Sequence, residues 1–210
     1  MKMNVLNKCI DLGFHKMRWN KEYKTLKSSN LAAKFRESPE LWHEYHEISR
    51  ANELTFPEDE IPRNRIAAEL NKIKSRRAKL VVDLGCGEGM LASQFKTDKR
   101  FEFINYDHIA APADPNVKIE IADISAVPLD DESAEYVVLC LAMWGSNCES
   151  YLDEAYRILE SHGRLLIIEA TKRWTNDDDS SRLATLLEKK GFIIRESSIE
   201  KFSLFQCEKP

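Results

Sequence analysis

The 210-residue sequence has no run of about 18 apolar residues, which excludes a transmembrane helix. It also has no apolar stretch ahead of a small-residue cleavage site near its start, so no secretory signal is expected. Cysteine is sparse. Cys9, Cys86, Cys140, Cys148 and Cys207 are odd in number and widely spaced, and no two form a C-x-x-C pair. That argues against a disulfide framework and against a thiolate zinc site, and predicts reduced thiols in an intracellular compartment. No metal centre is expected. Internal repeats and low-complexity tracts are absent as well. Glycine is scarce, seven in all, yet three of the seven crowd into residues 85–89.

What is present is the balance of a soluble globular chain. It is 43% hydrophobic and 31% charged, and long enough to bury a core without covalent or metal staples. The net charge of −4 is unevenly spread. Residues 1–36 hold nine lysines or arginines against two acids, +7, and the remainder is −11. A basic arm on an acidic body points to an anionic partner such as nucleic acid. The alternative is a solvated helix face, because the arm also carries an apolar stripe.

The chain reads as two stretches of one domain. Residues 1–78 form an N-terminal helical basic arm and cap. Residues 79–210 alternate strand and helix. In the first stretch, Ser38-Pro39-Glu40 predicts a helix start, with serine as N-cap and proline in the first turn. Leu41, Tyr45 and Ile48 then share one face. Pro57 and Pro62 mark a loop, and Ile66, Leu70 and Ile73 a further amphipathic helix. In the second stretch the predicted strands are KLVVDL, FEFINYD, VKIEIAD, AEYVVLCLA and GRLLIIEA, with helices MLASQF, SYLDEAYRILE and SSRLATLLEKKG between them or after them. The last helix ends on Gly191. FIIRESSIEKFSLFQCEK closes the chain as a strand pair. This order predicts an α/β fold, a mostly parallel seven-stranded Rossmann-like sheet with an antiparallel C-terminal edge and an N-terminal helical layer.

The turn Asp83-Leu84-Gly85-Cys86-Gly87-Glu88-Gly89 sits between the first strand and its helix. Its glycines allow close backbone approach to a ligand, and the helix start supplies free N–H donors. The dinucleotide fingerprint G-x-G-x-x-G fails, because its third glycine would fall on Met90. G-x-G-x-G with an acid in the strand before it is instead the pattern of class I methyltransferases. Without a ligand, such a turn is a tight β–α connection. Asp107, at the end of the second strand, suits a ribose diol, with a solvated loop acid as the alternative. Asp123, at the end of the third, suits the exocyclic amine of an adenine. Ile124 and Cys140 suit the pocket wall, and taken alone are ordinary core residues. A lone helical histidine such as His46 is usually a surface or satisfied residue.

Together, FRESPELWHEYHE, VVDLGCGEGMLA, IADISAVPLDDESAEYVVLCLAMWGSN, YLDEAYRILE and FSLFQCEK resemble one family, the nucleomethylin or ribosomal-RNA-processing family of nucleolar rRNA adenine N1-methyltransferases. The resemblance implies a class I fold that binds S-adenosylmethionine. It places cofactor contacts at His46, Gly85, Gly87, Asp107, Asp123, Ile124 and Cys140, with isoleucine at 124 where methionine is usual. It also implies methylation of adenine N1 in large-subunit rRNA, a nuclear or nucleolar setting, chromatin or nucleolar protein partners, and a monomer. Adenine N1 carries a free lone pair, so no triad and no paired carboxylates are needed, and none is found. The catalytic residues stay unassigned. Trp144 and Asn147 are candidates for contact with the acceptor base, or else core packing and a helix cap. Lys172 and Arg173 join the arm as candidates for phosphate contact. Two other readings remain: a methyltransferase for small molecules or proteins, and a cofactor-binding interaction module without catalysis. No membrane partner is expected.

Overall fold

The computed structural model describes Trp19, residues 21–176 and residues 181–210. The arm bases Lys2, Lys8, Lys16 and Arg18 lie outside the described residues. The strands are β1 (Lys79–Leu84), β2 (Phe101–Asp107), β3 (Glu120–Ile121), β4 (Ala134–Cys140), β5 (Leu159–Ala170), β6 (Ile193–Ile199) and β7 (Phe202–Glu208). They form one seven-stranded sheet in the order β3-β2-β1-β4-β5-β7-β6. The pairs from β3 to β5 are all parallel, and β7 runs antiparallel to both β5 and β6. The closing strand pair is therefore a hairpin whose second strand docks on the sheet.

Helices cover both faces. They are α1 (Ser28–Glu37), α2 (Pro39–Glu53), α3 (Pro62–Asn71), α4 (Met90–Gln94), α5 (Glu149–Ile158), α6 (Thr171–Trp174) and α7 (Arg182–Lys189). Period-two alternation decides which side of each strand meets which layer. Val137 and Leu139 of β4 pack with Leu152 and Ala155 of α5 and Leu183 and Leu187 of α7. Val138, between them, packs on the opposite face with Ile66 and Leu70 of α3 and Leu91 of α4. A third cluster joins α1 and α2 through Leu31, Phe35, Trp42 and Ile48, with Trp144 and Ile109 against it. The first two helices thus pack over loops at the carboxyl ends of the strands. Sheet order reverses at β1, which lies between β2 and β4, and ligands of open α/β sheets bind at such a point.

Three local expectations need correction. The third strand is two residues long, not the seven of VKIEIAD. Val117 and Ile119 turn in to pack beside Ala92, and Asn105 Nδ2 donates to the Lys118 carbonyl (2.9 Å) where a ladder bond would otherwise form. Asp123 therefore lies two residues past the strand. α2 does begin at Pro39, but the Ser38 side chain makes no capping bond; its N–H closes α1 by donating to the Lys34 carbonyl (2.9 Å). β5 starts at Leu159, directly after α5, and absorbs the turn before Gly163 as a register shift opposite Ala134 and Tyr136. The Gly191 helix stop is present, with φ +91° and its N–H on the Glu188 carbonyl (3.0 Å).

Candidate active site

A cleft of about 220 Å³ opens beyond the carboxyl ends of β1, β2 and β4 and is walled on its outer side by α1 and α2. His46, Gly85, Gly87, Asp107, Ile124 and Cys140 all line it. Six of the seven cofactor positions implied by sequence thus meet in one place. Asp123 does not reach the wall.

The glycine turn is the floor. Gly85 and Gly87 have φ of +75° and +58°, in the left-handed region where a side chain is strained. Space forbids one too. A Cβ on Gly85 would stand 2.8 Å from the Ala142 Cβ, and one on Gly87 would stand 2.9 Å from His46 Nε2. His46 reaches this place because α2 carries Trp42 and His46 one turn apart, on the same face. Their rings stack with centroids 3.8 Å apart, and His46 Nδ1 lies 2.9 Å from the Trp42 carbonyl.

Asp107 ties the floor to the wall. Its Oδ2 accepts the Gly87 N–H (2.8 Å), and its Oδ1 accepts the Trp42 indole N–H (2.8 Å) and the His108 N–H (2.7 Å). Asp83, near the end of β1, is 2% exposed, and its Oδ1 has no hydrogen-bond partner among the described residues. Burial, and then the charge of Asp107, push its carboxyl up to about 7. The sign follows from linkage. Between the ordinary carboxylate value and about 7, the folded chain holds a proton here that the unfolded chain does not. Asp83 therefore weakens the fold progressively as pH rises through that window. A cation placed beside it would reverse the balance, because it favours the ionised form.

Asp123 turns to the cap instead. Its Oδ1 accepts both the N–H (3.0 Å) and the hydroxyl (2.8 Å) of Ser125, and its Oδ2 accepts the Ser28 hydroxyl (2.7 Å). Burial raises its carboxyl, but the hydrogen bonds from Ser125 and Ser28 outweigh that and hold it below its ordinary value.

The segment after β4 is closed on itself. The carbonyls of Leu141, Ala142, Met143 and Trp144 accept, in turn, the Trp144 indole N–H, the Trp144 N–H, Arg173 and the Tyr151 hydroxyl. The buried Glu169 accepts the Met143 N–H (2.9 Å). Arg173 also pairs with Glu169 (3.6 Å) and covers the Trp144 ring at 4.4 Å. It is therefore turned inward and is not a phosphate contact, whereas Lys172 is exposed. Asn147 neither faces the cleft nor caps α5 with its side chain. Its Oδ1 accepts the Ser28 N–H (2.8 Å), and its Nδ2 donates to the Ser28 hydroxyl (2.9 Å). Trp144 lines the cleft edge-on to Tyr45, with ring centroids 6.3 Å apart.

Sequence reasoning missed Trp42, Tyr45 and Ser28. Trp42 was legible in one respect, since it lies four residues before His46 in LWHEYHE and helical spacing puts both on one face. Ser28 left no local signal, because its partners are 95 and 119 residues away.

Residues 4–210 match the family Methyltransf_8, described as "Hypothetical methyltransferase". A relative from Schizosaccharomyces pombe named 25S rRNA (adenine(645)-N(1))-methyltransferase is 32% identical over 199 residues, which covers 91% of this chain and 61% of that protein. Ribosomal RNA-processing protein 8 of Mus musculus is 32% identical over 185 residues, covering 87% of this chain and 37% of that one. This chain thus spans less than two thirds of these relatives' length. Among solved structures, the 1,6-didemethyltoxoflavin-N1-methyltransferase of Burkholderia thailandensis, with S-adenosylhomocysteine bound, superimposes with a TM-score of 0.57 at 14% identity over 87% of this chain and 86% of that one. At that identity the likeness concerns the fold alone.

Proposed function

The chain belongs to the Methyltransf_8 methyltransferase family, and from that premise we propose that it transfers the methyl group of S-adenosylmethionine to N1 of an adenine in large-subunit ribosomal RNA. The observation that carries the reading is the single cleft in which His46, Gly85, Gly87, Asp107, Ile124 and Cys140 meet. The residues fit the cofactor by their chemistry. Gly85 and Gly87 line the cleft with backbone free of side chains, at positions where a Cβ would collide with Ala142 or His46. Asp107 has one acceptor position left on Oδ2 for a ribose hydroxyl. The unpartnered Asp83 oxygen suits the cationic end of the ligand. Ile124 and Cys140 supply apolar and polarisable wall for the adenine.

The bound cofactor supplies an electrophilic methyl group on a sulfonium. The protein's own part is position and shielding. Adenine N1 attacks the methyl carbon with its lone pair as the methyl–sulfur bond breaks, leaving neutral S-adenosylhomocysteine, so no residue need remove a proton first. The closed loop from Leu141 to Trp144 gives the acceptor a fixed edge, and Tyr45 and Trp144 give aromatic faces beside it. Positive charge arriving on the base meets those faces and the nearby carboxylates. N1 is blocked in a duplex, so the acceptor is an unpaired or flipped-out base. The exposed Lys21, Lys24, Lys27 and Lys172 are the phosphate contacts in this reading. The relatives' names speak of rRNA methylation and rRNA processing, and the proposal extends to action in the nucleus or nucleolus. The enzyme acts as a monomer there, with chromatin or nucleolar proteins as further partners.

The test is transfer of labelled methyl from S-adenosylmethionine to total rRNA, followed by nucleoside digestion. Label is expected in 1-methyladenosine from the large-subunit RNA. Label confined to small molecules or protein, or absent, overturns the reading.

A further inference from the structure

Ser28 is the first residue of α1, follows the exposed Lys24 and Lys27, and is 1% exposed. The N-cap position of α1 belongs to Lys27, so the Ser28 side chain has no capping role in its own helix. Its backbone N–H donates to Asn147 Oδ1 (2.8 Å), its hydroxyl accepts from Asn147 Nδ2 (2.9 Å), and the same hydroxyl donates to Asp123 Oδ2 (2.7 Å). Two residues earlier the Leu26 carbonyl accepts the Ser146 N–H (2.8 Å), and a Cβ on Gly145 would stand 3.1 Å from that carbonyl. Lys24 Nζ lies 5.9 Å from the centre of the Trp144 ring. The end of the basic arm is thus fastened at three successive places to the loop after β4, and through Ser28 to Asp123.

We infer that Ser28 is a positioning residue that couples RNA held by the arm to the cofactor pocket, so that each ligand strengthens binding of the other. The inference rests on the reading of the cleft as the cofactor pocket. Asp123 itself stands outside the cleft wall, but Ile124 next to it, and Leu141, Ala142 and Trp144 of the loop that runs into Asn147, line the cleft. Through Asp123 and Asn147 the one hydroxyl of Ser28 fastens both of these wall segments. Ser28 stays in place only while Asn147 and the arm hold it. RNA drawn across Lys24 and Lys27 orders the same segment, so whichever ligand binds second finds the shared hydrogen bonds already fixed. Linkage requires the effect to be reciprocal.

The test uses the full chain, fluorescein-labelled single-stranded oligoadenylate as the RNA probe, and S-adenosylhomocysteine at saturation. Anisotropy titrations of the wild type are expected to give RNA affinity about tenfold tighter with S-adenosylhomocysteine than without it, within the usual range of coupling between sites. In Ser28→Ala that ratio is expected to fall to about one, while Ser28→Thr, which keeps the hydroxyl, retains most of it. A purely structural serine would lower both affinities together and leave the ratio unchanged. Hydrogen exchange on the wild type provides a measurement that does not depend on a variant folding: the Ser28 and Ser146 amides are expected to gain protection when either ligand is added. A wild-type ratio near one, an unchanged ratio in Ser28→Ala, or amides that ignore both ligands overturns the inference. Failure of S-adenosylhomocysteine to bind at all instead removes the underlying functional reading.

Discussion

Replacing Asp107 with alanine is expected to weaken S-adenosylhomocysteine binding at least thirtyfold and to destabilise the protein at the same time. The two effects have one origin. The carboxylate is buried and receives three N–H donors, from Gly87, Trp42 and His108, each within 2.8 Å. Alanine leaves all three unpaired in a place that water fills poorly. Each stranded donor costs about 1–3 kcal/mol, so a total near 3 kcal/mol is a conservative sum. For a chain of this size that corresponds to a melting temperature lower by roughly 6–12 °C. Binding suffers separately. The ribose loses a charge-assisted hydrogen bond of about 2–3 kcal/mol, which is roughly thirtyfold to more than hundredfold in affinity. The glycine turn and the Trp42–His46 stack also lose their common anchor. Asp107→Asn separates the contributions. It keeps one acceptor oxygen, and its unfolding midpoint is expected to lie between those of wild type and Asp107→Ala. Calorimetric titration and thermal melts of the three proteins check both effects. Near-normal binding in Asp107→Ala would place the ribose elsewhere.

Gly85→Ala is expected to reduce S-adenosylhomocysteine affinity roughly tenfold to hundredfold, through two additive faults that a second substitution can separate. The backbone at this position has φ +75°, and alanine there costs about 1–2 kcal/mol whatever its neighbours do. The new Cβ would also lie 2.8 Å from the Ala142 Cβ, which is a short side chain on a tightly bonded loop and cannot swing aside. The loop from Leu141 to Trp144 must shift, at a further cost of about 1–3 kcal/mol as in other overpacked sites. That movement carries Cys140 and Trp144 with it and deforms the cleft. Combining Gly85→Ala with Ala142→Gly removes the collision but not the strained dihedral. The double variant is therefore expected to recover part of the lost affinity and stability, with a coupling energy of about 1 kcal/mol or more between the sites. Strict additivity would show that the dihedral alone does the damage.

The sheet and its glycine turn are legible in the sequence because their causes are local. KLVVDL, FEFINYD and AEYVVLCLA are short apolar runs bounded by turn residues, and they become β1, β2 and β4, the last ending two residues early at Cys140. Gly85, Gly87 and Asp107 follow from their offsets to those strands. The departures come where distant residues compete with the local pattern. VKIEIAD alternates as a strand should, yet Val117 and Ile119 find a better burial against Ala92, and the ladder stops after two residues. Ser38 looks like an N-cap, but its backbone is committed to ending α1. Asn147 precedes a helix and is polar, which suggested a cap or a base contact; its amide serves Ser28, which no nearby residue announces. Arg173 reads as a surface base beside Lys172, and only the fold places Glu169 and the Trp144 face within its reach. Asp123 is the instructive case, since the sequence identifies it as a site residue while the structure has its oxygens facing Ser125 and Ser28.

Beneath these particulars is one physical claim, that buried carboxylates and an open glycine backbone at the switch point of the sheet form a receptor for a cationic adenosyl ligand. Calorimetric titration of the full chain with S-adenosylhomocysteine from pH 6 to pH 8 tests it most directly. The ligand's ammonium group favours ionised Asp83, whose carboxyl sits near 7 in the free protein. One site of roughly micromolar affinity is expected, tightening by up to about tenfold per pH unit below 7 and levelling off above it. No binding heat at any pH, or affinity that falls as pH rises through 7, would contradict the account.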